Sequence, residues 1–111
     1  MIYVIAWTFK PENRDAIQDR FMAFRTPGGR PPEGVSLLGR WHGVGTNKGV
    51  GVAESDDPVA VAKLLEKWTD LMSFDVYPAL NDQDVAEVIQ SKVSYGFRPA
   101  KRQTKKPPRR R

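Results

Sequence analysis

A chain of 111 residues, 40% hydrophobic and 28% charged, fits one globular domain with a single core. It has no cysteine, which excludes disulfides, thiolate zinc sites and iron–sulfur clusters. The net charge of +5 is unevenly spread: residues 1–91 hold nine Lys+Arg against thirteen Asp+Glu, net −4, while residues 92–111 hold nine Lys+Arg and no acid, net +9.

The opening "MIYVIAWTF" is rich in β-branched and aromatic residues and predicts a first strand. Tyr3, Ile5, Trp7 and Phe9 point one way, Ile2, Val4, Ala6 and Thr8 the other. Both faces are apolar, so both need cover. No basic region precedes these apolar residues and no small-residue cleavage site follows, so the segment reads as a strand and not as a secretory signal. No apolar run approaches the roughly 20 residues of a membrane span. A cytoplasmic location without membrane contact is expected, and the absence of cysteine is compatible with it.

"KPENRDAIQDRFMAFR" predicts a helix. Pro11 suits a first turn, Glu12 and Asp15 favour the positive end of the dipole, and Ile17, Phe21 and Phe24 form the apolar stripe. "TPGGRPPEG" is a loop. "VSLLGRWHGV" and "GVGVAE" predict two strands joined as a hairpin through "GTNKG", where Asn47 tolerates a left-handed conformation. "SDDPVAVAKLLEKWTDLM" predicts a second helix, capped by Ser55, Asp56 or Asp57 and opened by Pro58, with Val61, Leu64, Leu65, Trp68 and Leu71 as its stripe. "FDVYPAL" is a short fourth strand ended by Pro78, and "NDQDVAEVIQ" a short last helix capped by Asn81 or Asp82. Residues 1–91 thus form the domain, and residues 92–111 a basic tail predicted to be disordered.

The order β-α-β-β-α-β is that of an α+β, ferredoxin-like sandwich: an antiparallel four-stranded sheet with two helices on one face, plus a short extra C-terminal helix. The first strand lies centrally in such a sheet. Helices cover one of its apolar faces, and the other is most simply covered by the sheet of a second copy, giving a symmetric homodimer. The alternative is a monomer with a partly apolar open face.

The stretches "LLGRWHG", "GVGVAESDDP", "KWTDLMSFDVYPAL" and "NDQDV" resemble a bacterial domain-of-unknown-function family, number 3303, of the dimeric α/β-barrel superfamily. The resemblance covers about residues 1–90. Gly39, Arg40, Trp41, His42, Glu54, Asp57, Trp68 and Pro78 follow the family pattern in order, whereas the first helix matches only in character. It implies the fold and dimerisation and no reaction. The superfamily includes cofactor-independent oxygenases, isomerases, haem-degrading enzymes and regulatory or binding members, so fold alone does not choose a function.

"GRWHG" contains the single histidine of the chain, His42. With a hairpin loop of Thr46-Asn47-Lys48, His42 faces Val52 and Arg40 faces Glu54, which puts Arg40, His42 and Glu54 on one sheet face. Glu54 would then orient the imidazole and raise its pKa, Arg40 would hold an anionic group, and His42 would act as general base or acid. With a loop one residue shorter the register shifts and Glu54 moves to the Trp41 face. The first register also seats Trp41 over Gly51 and Ala53. Trp41 and His42 point to opposite faces of a regular strand, and only a bulge, for which Gly39 and Gly43 offer sites, would bring both into one cleft. The alternative role for His42 is a hydrogen-bonded structural residue. Trp7, Trp41 and Trp68 are candidate ligand-binding residues; Trp7 and Trp68 also fit simple core positions. One histidine and scattered carboxylates lack a metal-ligand set, and the glycines at 43, 45, 49 and 51 lack the strand-to-helix context of a phosphate loop, so neither metal nor cofactor is expected.

Two readings emerge. In one, a homodimer binds a small organic ligand between sheet and helices and works on it without a cofactor through His42. In the other, a non-catalytic dimeric module presents two basic tails to an acidic protein surface or a nucleic acid. Lys101, Arg102, Lys105, Lys106, Arg109, Arg110 and Arg111 would carry that second role by releasing phosphate counterions.

Overall fold

The structure, a computed structural model, describes residues 1–94. The basic tail residues from Lys101 to Arg111, with the disorder expected of them, lie outside the described residues. The chain divides into two compact units between Ala79 and Leu80. The first holds β1 (Ile2–Thr8), a 3-10 turn (Pro11–Asn13), α1 (Arg14–Ala23), β2 (Val35–His42), β3 (Lys48–Ser55), α2 (Pro58–Glu66) and β4 (Ser73–Ala79). The second holds α3 (Asp82–Ser94).

The sheet is antiparallel in the order β2-β3-β1-β4, the arrangement expected of a ferredoxin-like α+β fold. The central position of β1 follows from its apolar alternation. Ile5 and Trp7 are buried on the helix-covered face, where Val35, Ala53, Ala60 and Val61 complete the core cluster. Ile2, Val4 and Ala6 occupy the other face, opposite Glu54, Val52 and Val50 of β3. β4 runs through Pro78 to Ala79 and does not stop at the proline. It pairs with β1 alone, and an edge strand can hold a residue without an N–H.

Local chemistry sets the helix limits. α1 begins after Asn13, whose side chain donates to the carbonyl of Leu71 at 3.1 Å instead of capping its own helix. Of the three cap candidates for α2, Asp57 accepts from the Val59 N–H at 2.9 Å. Ser55 is buried just before it, donating to the Gly34 carbonyl at 2.7 Å and accepting from the Asp57 N–H. α2 ends at Glu66, six residues short of the stretch expected to be helical. Turns over Lys67–Leu71 then fold Trp68 into the core. In the second unit, Asn81 caps α3 by accepting from the Asp84 N–H at 2.8 Å, and the helix extends past Gln90 to Ser94. Among the described residues, no helix is long and apolar enough to cross a membrane.

Candidate functional site

The hairpin decides what the site contains, and its register differs from both expected ones. Gly43 donates to the Lys48 carbonyl at 2.9 Å, so the turn spans Val44–Asn47. The left-handed residue in it is Gly45, at φ +69°, and not Asn47. Asn47 is held from outside: its carbonyl accepts from the Phe9 N–H at 3.0 Å and its Oδ1 from Arg14 Nη2 at 2.9 Å. In this register His42 faces Gly49 and Arg40 faces Gly51.

A bulge then sets the faces. Leu37 pairs with Ala53 and Gly39 with Val52, leaving Leu38 as an extra residue. Val35 and Leu37 point to the core, and unbroken alternation would send Trp41 there as well. The extra residue reverses the alternation, turning Arg40 and His42 inward and Trp41 outward. The bulge precedes both Trp41 and His42, so it does not bring them into one cleft. Trp41 is 58% exposed, with its indole lying over Gly39 and not over Gly51 and Ala53.

The expected triad is therefore corrected. Arg40 and His42 share a face, but Glu54 pairs with Ser36 and with Ile2 on the opposite face and is exposed. A register three residues away from the preferred one removed the carboxylate from the imidazole.

Arg40 and His42 face a cavity of about 520 Å³ between the sheet and the two helices. Trp7 and Trp68 line it, with Phe21, Leu37, Leu64 and Phe74, while Trp41 does not. Of the expected ligand-binding tryptophans, then, Trp7 and Trp68 meet at the cavity and Trp41 lies across the sheet. Sequence periodicity did not single out Phe21 or the Pro27–Gly29 loop as site features. Phe21 read as one member of a core stripe, and the loop's role depends on folding back over Arg40. The Arg40 guanidinium lies 5.3 Å from the centre of the Phe21 ring, Nη2 donates to the Pro27 carbonyl at 3.4 Å, and Gly28 packs against it.

His42 sits between two aromatic edges, 5.5 Å from Phe21 and 5.7 Å from Trp7 between ring centres. The residue is nonetheless exposed, and among the described residues its imidazole has no hydrogen-bond partner, which leaves its ring nitrogens open to water. Burial first, and then the charge of Arg40, push its pKa below the ordinary histidine value. Desolvation likewise lowers Arg40. The lowered pKa favours the neutral imidazole, which stands with open ring nitrogens beside the Arg40 cation. That is chemistry suited to accepting a proton from a bound molecule. Among the described residues, no three His, Cys, Asp or Glu side chains gather into a metal-ligand set.

No curated protein and no solved structure matches the chain. A family model does, over residues 1–93, which include every strand of the sheet and both cavity helices. The chain belongs to the family described as domain of unknown function DUF3303.

Proposed function

We propose that the protein binds a small organic molecule in the cavity between sheet and helices, with His42 as the group that takes up or returns a proton. The cavity carries this reading. Its volume of about 520 Å³ falls within the range that holds small ligands, about 300–1,000 Å³. Trp7 and Trp68, both buried, form part of its wall. With Glu54 on the other face, base is the better supported role than acid. The reading invokes no cofactor.

A thermal-shift screen of small aromatic and aliphatic compounds tests it, run on the wild type and on Gly51→Leu. A Cβ at Gly51 meets only ordinary contacts and Gly51 lines the cavity, so the leucine is placed to fill the space, and circular dichroism checks that the variant folds. Compounds that stabilise the wild type should fail on Gly51→Leu. If no compound stabilises the wild type, or if hits act equally on both proteins, the reading falls.

The same reading makes the protein a cytoplasmic homodimer joined through the second sheet face. Trp41 at 58% and Tyr77 at 48% exposure, with half-buried Ile2, Val4, Ala6, Val50 and Val52, support a second copy as the cover. Light scattering should give twice the monomer mass, and Val4→Glu should return it to the monomer value. A monomeric wild type would overturn this part.

The charge asymmetry favours a second reading, in which residues 101–111 bind an acidic protein or a nucleic acid. Filter binding to random-sequence DNA, with and without those residues, tests it. Equal binding by the truncated chain removes the tail from the function.

A further inference from the structure

We infer that the cavity's ligand is an apolar monocarboxylate whose anion seats on Arg40, and that the Pro27–Gly29 loop holds the guanidinium in place for it. The inference rests on the ligand-binding reading above and names the class of ligand.

Charge balance is the starting point. The ion pairs among the described residues are Arg20 with Asp70 and the N-terminal amine with Asp56. Among the described residues, Arg40 has no carboxylate partner and the cavity wall includes no Asp or Glu. Glu54, the acid that its strand neighbourhood offered, lies across the sheet. A partly buried guanidinium without a counter-charge is a receptive place for an anion.

The clamp points the same way. Arg40 is stacked on the Phe21 ring, bonded to the Pro27 carbonyl and backed by Gly28. Gly28 has φ +82°, a backbone conformation that favours glycine, and a Cβ there would strike both the guanidinium and the Phe21 ring. The loop therefore fixes the planar fork while engaging one of its five N–H donors. A fixed fork with free donors matches a carboxylate, which accepts two parallel hydrogen bonds.

The remaining wall sets the rest of the ligand. Ile5, Trp7, Leu37, Leu65 and Phe74 present apolar surface. A dianion such as a phosphate monoester would bring a second charge into these surroundings. Arg14 and Lys48, the other cations at the cavity, are both exposed residues, and Arg14 is bonded to Asn47. Of the three cations only Arg40 is partly buried and clamped, and one such cation beside this apolar surface fits one negative charge on an apolar body.

Calorimetric titration of the full chain with 2-naphthoate and with the neutral 2-naphthalenemethanol decides the matter. On the wild type the acid should bind about tenfold or more tightly than the alcohol, the gain expected from a charge-assisted hydrogen bond. Arg40→Met should remove about tenfold from the acid and leave the alcohol within about threefold. If the alcohol binds as well as the acid, or if Arg40→Met leaves the preference intact, the carboxylate assignment is wrong and the cavity still binds ligands. If neither compound binds the wild type, the assignment and the ligand-binding reading fall together. The wild-type pair decides on its own should Arg40→Met not fold.

Discussion

Replacing Gly28 by alanine probes the packing that positions Arg40, and Gly45→Ala supplies the reference. Both glycines have positive φ, +82° and +69°. Each alanine therefore meets left-handed strain of about 1 kcal/mol, the low end for an L-residue. They differ in space. A Cβ at Gly45 meets nothing within 4 Å, whereas at Gly28 it meets the Arg40 guanidinium and Phe21 Cε1 at 2.8 Å. Overpacking of a tight site costs roughly 1–3 kcal/mol, and the low half of that range applies because a guanidinium yields more readily than a ring. Gly45→Ala should lose about 1 kcal/mol and Gly28→Ala about 2–3 kcal/mol. Urea unfolding with unchanged m-values measures the difference. A second readout follows displacement of Arg40: in Gly28→Ala the imidazole of His42 loses part of the cation's repulsion, so its NMR titration midpoint should rise. Equal losses in the two variants, with an unmoved His42 titration, would refute the stack of Gly28, Arg40 and Phe21.

Asp57→Ala removes the α2 cap and should lower stability by about 1 kcal/mol, seen as a fall of roughly 4–8 °C in melting temperature. His42 should titrate below the ordinary value of 6.5 by NMR. Because its folded pKa is depressed, its contribution to stability is complete above the unfolded value of about 6.5 and is lost as pH falls through the folded one. His42→Phe should flatten that part of the pH–stability curve. Arg20 grips Asp70 through two bonds at 2.8 and 2.9 Å and holds its carboxyl below the usual range. Stability from Asp70 is therefore present above the ordinary carboxylate pKa and fades in acid below it, and Asp70→Asn should remove that acid dependence while leaving stability at pH 7 nearly unchanged, the pair being solvent-screened.

Much of the fold was legible because its signals are local. Alternation in "MIYVIAWTF", the Asp57-Pro58 start of α2 and the turn glycines each act within a few neighbours. Their order is enough to give the sheet topology. Apolar residues on both faces of β1 also placed that strand at the centre. The α2 end was misplaced because Trp68 keeps helical spacing while lying in a turn, where burial of the indole outweighs helix continuation.

The site was legible only in its residue types. Arg40 and His42 were named, and strand alternation required them to share a face. Which face, and with which partners, depended on a turn one residue longer than expected and on an extra residue at Leu38. Neither has a strong local signature, since Gly43, Gly45 and Gly49 allow several hairpin turns of similar energy. The tertiary structure selects among them. Arg14 and Phe9 hold Asn47, and the core accepts Val35, Leu37 and Ala53 in one register. From the sequence alone come the element order, the two-faced central strand and the candidates in "GRWHG". Tertiary packing decided that Glu54 stands away from His42, that Trp41 faces outward, and that the Pro27–Gly29 loop closes on Arg40. The reason is range: periodicity reports on the next few residues, while register and clamping are settled by contacts between segments far apart in the chain.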